Sequence, residues 1–352
     1  MRTALHFSAN DVALTRFAVS PMQEVVGGLR ALAGAAVPEP HRRWAEQVRG
    51  RLATTGLDRG RLAGMVPHTG HLPDFLNPAP AGSSPTLAEE LTAIAATGAA
   101  QVRADLDVLA AEAGGRLPPV LEPLYRDPAA QLPRLTAEIE AYWQLALAPY
   151  WARIRTLLEA DVFHRSRQAA AQGTARMLDD LHETVRWDGT ALLLDRRHCA
   201  VTRLNAGAGL LLLPSAFVWP RVLTRVLPPD PPQLSYPARG AATLWESRPG
   251  TAERSDALAA VLGRSRARLL AELDSPASTT ELARRTGLSA AGVSQHLTAL
   301  RAAGLTSAHR AGHSVLYART AVGDALFDPA DSGFDRTGEA FDPAVTGGPA
   351  AR

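Results

Sequence analysis

The stretch that decides the fold is LSAAGVSQHLTALRAAGL, residues 288–305. Wound as a helix at about 100° per residue, it places Val293, Leu297 and Leu300 on one stripe. Ala291, Gln295, Thr298 and Ala302 fall opposite, with Ser294 beside them. A solvated helix face usually carries Glu and Lys, whereas this one is small, uncharged and supplied with amide and hydroxyl groups. Such a face suits a partner better than it suits water.

The flanking residues say which partner. LGRSRARLLAEL predicts a helix with Leu262, Leu269, Leu270 and Leu273 turned inward. Ser278 opens the next helix, TTELARRT, with Glu281 three residues on to complete a capping box. Gly287 suits the left-handed position that ends it. Leu288 plugs the turn, Ser289 caps the helix of the opening stretch, and Gly304 closes that helix. Two strands follow, LTSAHR and SVLYART, joined by Ala311, Gly312 and His313. Helix, helix, three-residue turn, helix and hairpin make a winged helix-turn-helix.

The major groove admits an α-helix, and each base pair presents there a distinct set of donors and acceptors. The residues expected to meet double-stranded DNA begin with Thr279 and Thr280 at the start of the first motif helix. Ser289, Ala290, Ala291, Ser294, Gln295, His296, Thr298 and Arg301 follow on the recognition helix, then Arg310 and His313 in the wing. Small Ala290, Ala291 and Gly292 let the helix N-terminus approach phosphate closely. His296 lies at the edge of the apolar stripe and reads as packed or phosphate-touching before it reads as a base reader. His309, Arg310 and His313 suit the minor groove or phosphate, with a merely solvated turn as the plain alternative.

Charge agrees with this reading. Every one of the 37 basic residues is arginine, which the Ala, Gly and Pro content explains as a GC-rich bias. Arginine nevertheless forks onto phosphate and guanine as lysine cannot. Between Gly263 and Thr320 stand Arg264, Arg266, Arg268, Arg284, Arg285, Arg301, Arg310 and Arg319 against Glu272, Asp274 and Glu281. That segment carries +5 in a chain of net +2, which leaves −3 for the remainder.

TTELARRTGLSAAGVSQHLTALRAAGL, with the Gly-containing wing and SVLYART, resembles the winged helix of ArsR-type bacterial repressors, SQHL and RAAGL being its most telling residues. RFAVSP, APYWARIRTLLEAD, LLLLPSAFVWPRV and SYPARG are similar, more loosely, to a long N-terminal domain of unknown function. That domain accompanies such winged helices in high-GC Gram-positive bacteria. The resemblance implies a homodimeric transcription factor on a palindromic operator. The chain departs from the metal-sensing members: TTELARRT holds neither Cys nor His, and AVGDALF supplies Asp324 alone. No metal and no cofactor is expected.

The rest of the chain predicts an α+β protein, with a mostly helical N-terminal domain over 1–245 that also holds a small sheet. A linker follows at 246–256, the winged helix occupies 257–327, and a disordered acidic tail ends the chain at 328–352. Ser20, Pro21 and Gln23 mark a helix start, with Gln23 completing a capping box. Ala79 to Pro85 reads as an exposed loop, and 86–113 as helix. Pro118, Pro119, Pro123, Pro128 and Pro133 are expected to break the chain into short pieces. Two long helical patterns follow, the second with Trp151, Ile154, Leu158 and Val162 as its stripe. ARMLDDLHETV is a further helix after Gly173. TALLLD, CAVTRL, GLLLLP and QLSYPA read as three or four strands.

One cysteine, no signal-peptide pattern and no apolar run of spanning length predict a soluble, cytoplasmic protein with no membrane partner. His68 and His71, without companion carboxylates, read as loop histidines, and Cys199 beside His198 as an ordinary strand cysteine. Trp143, Tyr150, Trp151, Trp219 and Trp245 suit core packing, with an apolar pocket as the alternative. No nucleophile elbow, phosphate loop or dinucleotide fingerprint is present, so no enzyme is expected. The N-terminal domain is then left to dimer contacts and a possible small-molecule effector. The competing reading is an enzymatic or ligand-binding domain to which DNA binding is secondary.

Overall fold

The computed structural model describes residues 2–195, 208–246, 251–311 and 314–327. The predicted strand CAVTRL, with Cys199 and His198, lies outside these residues, as do Gly312, His313 and the predicted tail.

Strand β1 (Arg2–His6) leads into helix α1 (Ala9–Ala13), strand β2 (Arg16–Phe17) and helix α2 (Pro21–Ala33). Ser8 caps α1 in a complete capping box with Asp11, a helix that sequence patterning left undivided. Ser20 caps α2 and Pro21 takes the first helical position. Gln23 does not close the expected box. Its side-chain oxygen instead accepts from Asn77 Nδ2 at 3.0 Å and Ser235 Oγ at 2.7 Å. The paired glycines of α2 serve close packing. A Cβ on Gly27 would stand 2.9 Å from that of Phe217, and one on Gly28 would press on Tyr142 and Trp44.

Helices α3 (Arg42–Thr55) and α4 (Arg61–Met65) precede the loop at 79–85. The predicted helix over 86–113 is two, α5 (Leu87–Ala95) and α6 (Ala99–Glu112), parted at Gly98. Helix α7 (Glu122–Arg126) is short, as the prolines demand, but α8 (Pro128–Ala146) runs through exposed Pro133 without breaking. Only one helical hydrogen bond is lost there, and Leu132, Leu135 and Ile139 hold the helix to the core. A 3-10 turn, Ala148–Tyr150, feeds α9 (Trp151–Gln172), which buries Ile154 and Leu158, and Gly173 separates it from α10 (Thr174–Asp179).

The expected single small sheet is two sheets. Strands β3 (Val185–Trp187) and β4 (Ala191–Asp195) join β1 in the antiparallel order β1-β4-β3. Strands β5 (Leu211–Ser215), β6 (Leu223–Arg225) and β7 (Gln233–Pro237) join β2 in the order β2-β5-β7-β6. There β5 runs parallel to both β2 and β7 and is buried along its whole length. The unbroken apolar run GLLLLP is the signature of a strand covered on both faces.

Helix α11 (Thr251–Leu262) fills most of the predicted linker. Gly263, at φ 84°, separates it from α12 (Arg264–Glu272), so the helix expected over 262–273 starts two residues late. Strand β8 (Ala277–Ser278), α13 (Thr279–Thr286), α14 (Ala290–Ala302), β9 (Thr306–Ala311), β10 (Ser314–Arg319) and α15 (Ala321–Ala325) complete the chain. The fold is thus α+β throughout, a helical region with small sheets followed by a helix-turn-helix region. Among the described residues no helix is long and apolar enough to cross a membrane.

Candidate nucleic-acid interface

Each element of the C-terminal motif starts and stops where its local chemistry dictates. Ser278 Oγ accepts from the Glu281 amide at 3.2 Å and starts α13. The Glu281 carboxylate does not return the bond of a capping box but pairs with Arg285 one turn on. Gly287, at φ 70°, takes the left-handed turn that a side chain would strain. Ser289 Oγ accepts from the Gly292 amide at 3.1 Å and starts α14.

Helix α14 then divides as its periodicity requires. Val293, Leu297 and Leu300 are buried with Leu269, Leu270, Leu273, Leu282 and Phe327 in one apolar core. Ala290, Ala291, Ser294, Gln295, Thr298 and Arg301 are exposed on the other side, and His296 is half-buried between the two. Thr280 is exposed and Thr279 half-buried at the start of α13. Two of these hydroxyls are already engaged. Ser289 is the cap, and Thr298 Oγ1 donates back to the Ser294 carbonyl at 2.9 Å. Ser294, Gln295 and Arg301 are exposed on that face.

In the wing, β9 and β10 pair so that Arg310 faces Val315, and both are exposed. His309, expected at the minor groove, at phosphate or on a solvated turn, is not fully exposed. It is half-buried, its Nε2 lies 2.8 Å from Ser307 Oγ, and burial together with Arg301 pushes its pKa down. His313 falls outside the described residues. Strand β8, missed from sequence because it is two residues long, closes the sheet in the order β8-β10-β9.

The structure also redistributes the positive charge. Arg319 does not lie where phosphate would. Its side chain is 3 % exposed, it pairs with Asp274 at 3.1 Å and Asp324 at 2.9 Å, and its guanidinium stands 4.6 Å from the Phe327 ring. Arg264, Arg268 and Arg285 join Arg43 of α3 in an open cleft between the two domains, with Asp256, Glu272 and Asp274 as its acids. Arg266, Arg284, Arg301 and Arg310 are exposed outside that cleft.

The winged helix is docked on the N-terminal domain. Strands β9 and β10 pack against the turn Ala148–Tyr150, and β9 against α8 as well. Leu316 and Ala318, which alternate with inward-facing Tyr317 and Arg319, are accordingly 4 % and 3 % exposed. Arg153 Nη1 reaches Asp274 Oδ1 at 3.5 Å across the same boundary.

Of the other singled-out residues, Trp143, Tyr150 and Trp245 are core, Trp151 is partly buried against it, and Trp219 is 49 % exposed. His68 and His71 both line a cavity of the N-terminal domain, a grouping that no local spacing announced. Among the described residues no three His, Cys, Asp or Glu side chains stand together as a metal site.

Residues 263–307 match a family described as a helix-turn-helix domain, and residues 97–242 match a family of unknown function, DUF5937. No curated protein and no solved structure matches the chain. The first match, together with the exposed face of α14, supports a DNA-binding regulator.

Proposed function

We propose that the chain is an ArsR-type transcriptional repressor that binds a palindromic operator as a homodimer. Metal is not its signal and it has no catalytic role. The observation that carries the reading is the outward face of α14. There Ala291, Ser294, Gln295 and Arg301 are exposed without an acid among them, on a helix locked in place by three buried apolar side chains. One such helix reads only a short half-site, so two copies related by a two-fold axis supply the length an operator needs. The absence of thiolates from TTELARRT argues against a soft-metal site at the position where metal sensors keep theirs.

In-vitro selection of bound DNA by the full chain tests the whole reading. The expected product is an inverted repeat with half-site centres about one helical turn apart, or a multiple of it. It should be bound by a dimer in analytical ultracentrifugation and not released by stoichiometric zinc, cadmium or arsenite. A consensus without dyad symmetry, bound tightly by a monomer, overturns it. The competing reading, an enzymatic N-terminal domain, predicts turnover in a broad substrate screen and weak, sequence-indifferent DNA binding.

A further inference from the structure

The N-terminal domain encloses a partly open cavity of about 360 Å³ between the C-terminal half of α2, the loop before α5 and the segment after β5. Its lining includes the apolar and aromatic side chains Phe217, Val218, Trp219, Leu72 and Val108. The lining also holds arginines. Arg30 donates through Nη2 to the Gly70 carbonyl at 2.6 Å, yet its Nε is buried without a partner among the described residues. Nε2 of His71 is in the same condition. Arg221 stands beside Arg30, close enough that its charge, after burial, helps to push the Arg30 pKa down to about 10. A third arginine, Arg225, is already held by Asp230 at 2.8 Å and Asp74 at 3.9 Å. Glu112, the remaining acid of the lining, accepts from the His71 amide and offsets part of the Arg30–Arg221 charge.

Two guanidiniums close enough to repel, one with an unmet donor and with Glu112 near them, form a site short of one negative charge. A phosphate dianion would set a second charge against Glu112. A carboxylate would not. The aromatic wall beside it suits a flat apolar body.

The wall is also connected. Phe217 lies 4.6 Å from the ring centroids of both His41 and Trp44 and 6.1 Å from that of Trp245. Trp245 donates through Nε1 to His41 Nδ1 at 2.9 Å and meets Tyr150 edge-on at 5.4 Å. Tyr150 ends the turn on which β9 and β10 of the winged helix rest. One aromatic stack therefore runs from the cavity lining to the turn against which the wing packs.

We propose that this cavity is an effector site for a small organic monoanion, a carboxylate on a flat apolar body, and that its occupancy changes how the winged helix holds DNA. The carboxylate sits between Arg30 and Arg221 and the body lies along Phe217 and Trp219. The second half of the proposal rests on the DNA-binding reading; the first does not, because binding is measured without DNA.

Calorimetric titration of the full chain with benzoate, phenylacetate and indole-3-acetate tests it. Phenylacetamide serves as the neutral match and phenyl phosphate as the dianion. At least one carboxylate is expected to bind with a micromolar Kd, and the amide and the phosphate at least tenfold more weakly. Arg221→Gln, at an exposed side chain, should weaken that carboxylate tenfold or more with circular dichroism unchanged. Arg30→Gln, deeper in the wall, should do the same and serves as the second variant. Millimolar or absent binding of all three acids, equal binding of the amide, tighter binding of phenyl phosphate, or indifference to both variants overturns the site. With the site established, the bound carboxylate should shift the Kd for the selected operator at least fivefold. An unchanged Kd overturns the coupling, and a chain that binds no operator at all refutes the DNA-binding reading instead.

Discussion

The winged helix and the N-terminal domain bury their interiors by opposite rules. The core of the winged helix is Leu269, Leu270, Leu273, Ala277, Leu282, Val293, Leu297, Leu300 and Phe327, with Arg319 its one buried charge among the described residues. The N-terminal domain takes acids and amides inside. Glu24 is fully buried and accepts from the Ala216 amide at 3.0 Å, and Glu90 accepts from the Met22 amide at 2.8 Å and from Ser20. Asp161 accepts from the Tyr236 hydroxyl at 2.8 Å and the Arg239 amide at 3.1 Å. An apolar core specifies a shape cheaply. A polar core ties particular elements to one another, because an unmet partner there is costly.

Arg319, the buried charge of the winged helix, yields the largest expected effect. Its charge is buried between Asp274 and Asp324 over Phe327. Arg319→Ala removes that packing and leaves Asp274 and Asp324 without their shared cation, at a cost of roughly 3–5 kcal/mol. Urea denaturation of the full chain should show the loss, and operator binding should fall with the folded fraction alone. A lower salt slope at unchanged stability would return Arg319 to the DNA face.

The polar core should announce itself through pH. Burial pushes the Glu24 carboxyl up to about 7 against the lowering pull of Ser215 and Ala216, and burial does the same to Glu90 against Ser20 and Met22. A carboxyl raised in the folded state stabilises the fold most fully below its unfolded pKa, near 4.5, and loses that contribution as pH rises through about 7. Each group is worth about 3 kcal/mol across the window. Denaturation midpoints should therefore fall between about pH 4.5 and 7 by more than the winged helix alone explains, and level off above that. Glu24→Gln and Glu90→Gln should each flatten the profile. A wild-type profile as flat as the variants would show both carboxyls ionised and hydrated.

The same contrast governs what could be read from the sequence. In the winged helix the groups that start the motif helices find their partners three residues on, as Ser278 with Glu281 and Ser289 with Gly292. Caps, glycine turn and apolar period therefore located α13, α14 and the hairpin directly. Arg319 escaped because a charge count cannot tell a buried arginine from an exposed one. In the N-terminal domain Gln23 meets Ser235, Glu24 meets Ala216 and Ser20 meets Glu90, each pair far apart in the chain. Such pairings leave no local trace, so Gln23 read as a capping residue. The second sheet was hidden in the same way, since β2 is two residues long and finds β5 only across the fold. The cavity brings Arg30, His71 and Trp219 together from three separate segments.

Base readout should be the next largest effect. Gln295 is exposed on the acid-free face and offers both a donor and an acceptor. Gln295→Ala should cost about 1–3 kcal/mol on the selected operator, relax preference at one or two positions, and leave binding to scrambled DNA almost unchanged. Equal weakening on both DNAs would mean that α14 lies along the backbone and not in the groove.

The smallest effect separates two sets of arginines that composition treats alike. Arg310 is exposed on β9 beside the wing turn, and on the proposed reading its charge meets phosphate on every sequence. Arg268 is exposed too, but it lines the cleft between the domains together with Arg43 and Arg264. A phosphate contact releases about one counterion, so Arg310→Ala should lower the slope of log K against log salt by about one unit on operator and scrambled DNA alike. Arg268→Ala removes the same formal charge and should leave the slope where it was. The two variants, titrated in parallel, cancel any effect of net charge alone, because each lowers it equally. Equal slope losses would mean that DNA reaches into the cleft as well as the wing. A loss confined to Arg268→Ala would turn the winged helix around, with α12 and not the hairpin against the duplex.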